Sequence, residues 1–255
     1  MKITILLMAM IVATTANAQL KDIVYNDGIQ TLQGFTGVPE KPLKQKPGIL
    51  ILPAWMGINS HSKQVAGKLT ALGYHTLIAD IYGKGNSPKS ATEAGEKSGY
   101  YKNNPELYQK RIKAALDALA ASGANKEEIV VIGYCFGGTG ALEAARGGLN
   151  VKGVVSFHGG LGKDASGKSG GINPKVLVLH GADDPYVPQK DIEAFQKEMK
   201  DAKADWQMVY YANAVHAFTE KEAGNDNSKG AAYNEKADKR SWEHFMVFLE
   251  ELFGK

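Results

Sequence analysis

Short apolar stretches recur along the chain without polar alternation, at residues 48–52 (GILIL), 74–79, 129–132 (IVVI), 153–157 (GVVSF) and 176–179 (VLVL). A strand with one wet face alternates apolar and polar residues, so unbroken runs this short fit strands buried on both faces of a parallel sheet. Helical periodicity fills the intervals at about 60–72, 105–121, 138–147 and 188–200, and a last helix is expected at about 228–252, after a strand over 206–211. Upstream, residues 22–26 and 29–36 flank Asp27-Gly28, a pair that favours a hairpin turn. The pattern predicts an α/β chain: a mostly parallel, doubly wound sheet preceded by an N-terminal antiparallel hairpin. No repeat, low-complexity tract or long linker interrupts it, so residues 19–255 are expected to form one domain.

Residues 1–18 follow a different logic. Met1-Lys2 leads into an apolar or small stretch over 3–13, then Ala16-Asn17-Ala18, which reads as a secretory signal peptide cleaved before Gln19. The apolar part is about half the ~20 residues a membrane span needs, so no stable membrane anchor is expected after cleavage. The periplasm is the expected destination. A single Cys in 255 residues excludes a disulfide framework, a thiolate zinc ribbon and a CxxC redox motif, so thiol chemistry must run through Cys135. Lys and Arg number 30 against 27 acidic residues and are scattered, which leaves no basic footprint for nucleic acid. The expected partner is a small molecule.

Doubly wound sheets bind ligands at the carboxyl ends of their strands. After the run at 129–132 comes Gly133-Tyr134-Cys135-Phe136-Gly137, and a small-residue helix starts at once. This G-x-C-x-G pattern places Cys135 on a sharp strand-to-helix turn, where free N–H groups and the helix dipole favour a thiolate and an oxyanion. An inert buried Cys at a tight turn would satisfy the pentapeptide alone. The run at 176–179 leads into His180-Gly-Ala-Asp-Asp-Pro, whose Asp184 is chosen over Asp183 as the group to orient an imidazole, although both acids could merely shape the turn. The strand at 206–211 leads into a loop carrying His216. Nucleophile, acid and base at 135, 184 and 216, each after its own strand, follow the α/β-hydrolase order.

Through GYCFGG, HGADDPYVP and VHAF, and less sharply through PAWMGIN at 53–59 and ADIYGKG at 79–85, the chain resembles the dienelactone hydrolase family of the α/β-hydrolase fold. The resemblance runs from about residue 25 to the C-terminus. It implies a Cys135–His216–Asp184 triad and hydrolysis of an ester or lactone with no cofactor. Members that hydrolyse dienelactone carry a glutamate where this chain has Ala54, and two arginines that hold the substrate carboxylate where it has Lys84 and Glu220. Lys is a point charge rather than a planar fork, and Glu reverses the sign, so a neutral ester is expected in place of an anionic lactone.

The backbone N–H groups of Phe136 and Trp55 are expected to form the oxyanion hole. Tyr82, Lys84, His158 and Tyr186, on loops at the same end of the sheet, are candidates for substrate binding; Trp55 and Tyr82 could equally be core aromatics, Lys84 a solvated charge and His158 a hydrogen-bonded structural His. His61, His75, His180 and His244 are expected to be structural, and no metal or phosphate motif is found. A competing reading keeps the fold and pocket but makes the protein a non-catalytic binder or thiol redox sensor in an oxidising compartment. Thioester or peroxy-acid chemistry on the same scaffold is a third.

Overall fold

The computed structural model describes residues 19–163 and 171–254, so the proposed signal peptide over 1–18 lies outside the described residues. In chain order the main elements are β1 (Lys21–Asn26), β2 (Thr31–Gly37), β3 (Gly48–Leu52), α1 (Ser60–Ala71), β4 (His75–Ile78), α2 (Ala91–Lys102), α3 (Pro105–Ala121), β5 (Ile129–Tyr134), α4 (Phe136–Arg146), β6 (Gly153–Phe157), β7 (Lys175–Gly181), α5 (Gln189–Asp201), β8 (Trp206–Tyr211) and α6 (Glu235–Phe253). The strands form one eight-stranded sheet in the order β1-β2-β4-β3-β5-β6-β7-β8. The β1–β2 and β2–β4 pairs are antiparallel and every other pair is parallel. The predicted α/β fold and its N-terminal hairpin are therefore present.

Alternation along the strands sorts the core into two layers. Leu50, Leu52, Val131, Val154, Val176 and Val178 face Tyr108, Ile112, Leu142 and Phe195 from α3, α4 and α5. Ile49, Ile51, Val130, Ile132, Leu177 and Leu179 face Val65 and Leu69 of α1 and Phe245, Phe248 and Leu249 of α6. Both faces of β3, β5, β6 and β7 are thus covered, which is why these strands read as continuous apolar runs. Each fully buried Leu or Ile contributes roughly 1.5–3 kcal/mol.

The structure corrects the sequence reading in three places. Helix α2 was not expected: its sequence ATEAGEKSGYYK holds two glycines and buries only Ala94, Ser98 and Tyr101. The hairpin is linked by residues 27–30 rather than by two, because Asp27 Oδ1 accepts from the N–H groups of Ile29 (2.9 Å) and Gln30 (2.7 Å). Helix α6 starts at Glu235, where the Asn234 side chain accepts from Ala237 N–H at 3.1 Å, later than the expected 228.

Candidate active site

The turn between β5 and α4 is built by close approach. A Cβ on Gly133 would lie 1.9 Å from Gly137 O, and one on Gly137 would lie 2.1 Å from Leu52 O. With no side chain at either position, the backbone doubles back and Cys135 is held at φ +54°, ψ −115°. Its N–H donates to Phe157 O at 3.0 Å, which ties the strained residue to β6. Cys135 is the N-cap of α4, and Phe136, expected to supply one oxyanion donor, is the first residue of that helix.

Asp184 follows β7 and its side chain is fully enclosed. One carboxylate oxygen, Oδ1, accepts from Tyr186 N–H at 2.9 Å, and Oδ2 lies 2.8 Å from His216 Nδ1. Asp183, by contrast, is exposed. His216 sits on the loop after β8, pinned through its own N–H to Gly230 O (3.1 Å) and its carbonyl to Ala232 N–H (3.0 Å). The Nε2 atom of His216 is 3.0 Å from Cys135 Sγ. Burial opposes a charged imidazole, but the hydrogen bonds to Asp184 and Cys135 outweigh it and push His216 up to about 10. The three residues read from sequence are thus brought into one chain of contacts, with His216 in the middle.

Trp55 lies in a turn over 54–57 closed by Gly57 N–H to Ala54 O at 2.8 Å, and its side chain is about two-fifths exposed. Gly57 makes that turn possible at φ +84°. Tyr82 is nearly buried, and its hydroxyl donates to Trp55 O at 2.7 Å. Its ring also borders a cavity of about 250 Å³ that touches Ala54, Phe136, Lys63 and the exposed Lys84. Tyr186 is exposed and meets the His216 ring edge-on at 5.3 Å between centroids.

His158 corrects an expectation. Proposed from sequence to line the pocket, it is fully buried behind His216, with ring centroids 5.3 Å apart, and its Nε2 is 2.8 Å from Thr219 Oγ1. Burial, then the neighbouring His216, holds its pKa well below the ordinary value. A substrate at Cys135 cannot touch a ring with no exposed surface; His158 packs against the back of the base instead.

Glu220, one turn of loop past His216, accepts from Asn59 Nδ2 at 3.3 Å, and burial raises its pKa. Asn59 also caps α1 through a reciprocal pair with Ser62. Sequence reasoning missed Asn59, Thr219 and Tyr108; only Asn59 carried a signal, as an N-cap two residues after Gly57. Among the described residues, no cluster of His, Cys, Asp or Glu could hold a metal ion, and no helix is long and apolar enough to cross a membrane.

Residues 32–253 match the Dienelactone hydrolase family. A solved dienelactone hydrolase-like promiscuous phosphotriesterase, P91 from metagenomic libraries, is 36% identical, with a TM-score of 0.87 over 92% of this chain and 99% of its own. An uncharacterized Caenorhabditis elegans protein is 32% identical over 152 residues, 56% of this chain and 93% of the relative. A Salmonella typhimurium protein named "Putative carboxymethylenebutenolidase" is 24% identical over 222 residues, 82% of this chain and 78% of the relative. With the family matched over most of its length on an α/β-hydrolase fold, this chain belongs to the dienelactone hydrolase family and is a hydrolase.

Proposed function

We propose that the protein hydrolyses a small neutral ester or lactone through a Cys135 acyl-enzyme. The observation that carries this reading is the contact chain Asp184 Oδ2–His216 Nδ1 at 2.8 Å and His216 Nε2–Cys135 Sγ at 3.0 Å. Protonated His216 is both a countercharge for a sulfur anion and an acid for the leaving alcohol. Sγ attacks the carbonyl carbon, a C–S bond forms, and the carbonyl oxygen takes the negative charge facing the N–H groups of Phe136 and Trp55. As the oxyanion collapses, the ester C–O bond breaks and the His216 proton goes to the departing alkoxide. Neutral His216 then deprotonates a water, which attacks the thioester. The C–S bond breaks, the acid product leaves, and the imidazolium is restored beside the sulfur anion. Asp184 keeps Nδ1 protonated and Nε2 directed at sulfur. Losing one oxyanion donor would cost on the order of 3 kcal/mol.

The preference for a neutral substrate rests on Ala54, Lys84 and Glu220. A carboxylate would meet one exposed ammonium at Lys84 and an acid at 220. The P91 similarity supports including neutral phosphotriesters in a substrate screen. The composition of residues 1–18 supports export, which N-terminal sequencing of the mature protein would test.

A short-chain nitrophenyl ester supplies the main experiment. A burst of nitrophenol, together with an acyl mass on Cys135 that Cys135→Ala abolishes, is the expected result. Absence of burst and turnover, with a reversible sulfenate at Cys135, would favour a redox sensor instead.

A further inference from the structure

Two tyrosines outside the triad are hydrogen-bonded to the two residues expected to supply the oxyanion donors. Tyr82 Oη donates to Trp55 O at 2.7 Å, and Tyr108 Oη donates to Phe136 O at 3.0 Å. Both rings also stack on the Phe136 ring, Tyr82 at 5.7 Å and 5° between planes, Tyr108 at 4.7 Å and 9°. The Phe136 side chain therefore touches both tyrosines that hold the two loops. Tyr101 of α2 meets Tyr82 edge-on at 5.8 Å and closes the cluster from outside.

We infer that Tyr82 and Tyr108 are positioning residues for the oxyanion hole, each fixing a backbone carbonyl so that the Trp55 and Phe136 N–H groups stay aimed at one point. This rests on the acyl-enzyme reading above.

Residues 54–57 form a tight turn. Its first peptide, which carries the Trp55 N–H, is held through Ala54 O by Gly57 N–H at 2.8 Å. The second peptide has the Trp55 carbonyl as its acceptor, and Tyr82 Oη donates to it. With both peptide planes held, the direction of the Trp55 N–H is set before any substrate arrives. Preorganisation of this kind is what makes an oxyanion donor effective, since nothing has to reorient as charge develops.

On the other side, Tyr108 comes from α3 and is fully buried. It reaches the start of α4 only because residue 140 is glycine: a Cβ there would lie 2.3 Å from Tyr108 Oη and 2.6 Å from Cζ. Burial raises the pKa of both phenols, so each stays a protonated donor across the working range. Neither hydroxyl bonds to Cys135, Asp184 or His216; their hydrogen bonds run to the backbone on either side of the nucleophile.

The test compares two reactions of the same sulfur. Alkylation of Cys135 by iodoacetamide develops no oxyanion, whereas acylation by a nitrophenyl ester does. Tyr82→Phe keeps the ring and the stacking but removes the donor. It is expected to lower the acylation rate constant by ~10-fold or more, with KM little changed and the alkylation rate and its pH profile within about twofold of the parent. Gly140→Ala, which displaces the Tyr108 hydroxyl, should give the same split; it serves as the second variant if Tyr108→Phe fails to fold. Acylation and alkylation falling together would mean that the tyrosines hold the nucleophile or the fold, and would overturn the inference. Acylation unchanged in Tyr82→Phe would overturn it as well. The parent protein separates the two claims: no acyl-Cys135 in the parent defeats the acyl-enzyme reading and this inference with it, whereas normal acylation in parent and variants alike defeats only the inference.

Discussion

His216 Nδ1 and Asp184 Oδ2 are 2.8 Å apart, with the Asp184 side chain fully enclosed and the imidazole 13% exposed. That contact fixes which imidazole nitrogen faces Cys135. Replacing the carboxylate by an amide keeps the shape but removes the anion and allows the ring to present the wrong tautomer. Asp184→Asn is expected to lower kcat on a short-chain nitrophenyl ester by roughly 10³–10⁴-fold. A loss below tenfold, measured on folded protein, would show that Asp184 does not orient the base.

The same contact makes stability depend on pH. His216 is raised from an unfolded value of 6.5 to about 10 in the fold. Between those values the folded chain binds more protons than the unfolded one, so the slope of unfolding free energy against pH is negative. The stabilisation is complete below 6.5 and is lost as pH rises through 10. Urea unfolding followed from neutral to alkaline pH should show this decline, and His216→Ala should flatten it. An equal decline in both proteins would assign it to other groups.

A buried pair outside the site ties the hairpin to the helical layer. Asp27 shapes the turn with Oδ1 and uses Oδ2 in an ion pair with Arg111 of α3, whose Nε also donates to Tyr101 Oη at 3.4 Å. The Asp27 side chain is 1% exposed, with Lys110 at 4.0 Å as the only other cation paired with it among the described residues. Arg111→Met strands a buried carboxylate and should cost about 3 kcal/mol in urea unfolding. Adding Asp27→Asn, which keeps the turn's acceptor but no charge, should recover a large part. No recovery would mean that the Arg111 side chain acts through packing alone.

The sheet and the contact chain Asp184–His216–Cys135 are legible in the sequence because both write periodic or local signals. Strands buried on two faces appear as unbroken apolar runs, and an elbow must place glycines two positions either side of its nucleophile. Helix α2 left no such trace, since it rests on the fold through Tyr101 and little else. His158 was misplaced for a different reason: a loop His after a central strand can face the pocket or the core, and only the packing of Phe218, Tyr134 and His216 around it decides. The partners of Tyr82 and Tyr108 are 27 and 28 residues away and on backbone atoms, which no side-chain pattern records.

Position 220 supplies a test of substrate charge. Glu220 follows His216 by four residues, accepts from Asn59 Nδ2 at 3.3 Å, and is buried enough for its pKa to rise. An acid there repels a substrate carboxylate when ionised, and Lys84 is exposed and offers no planar fork. Glu220→Arg restores a cation able to grip a carboxylate through two parallel hydrogen bonds. The ratio of kcat/KM for an anionic lactone over a neutral ester of similar size should rise by ~10-fold or more. The change is expected mainly in KM for the anionic substrate, because a remote carboxylate is held equally in ground and transition states. If the parent protein already prefers the anionic lactone, or if the ratio does not move in Glu220→Arg, then Lys84 and Glu220 do not set substrate charge.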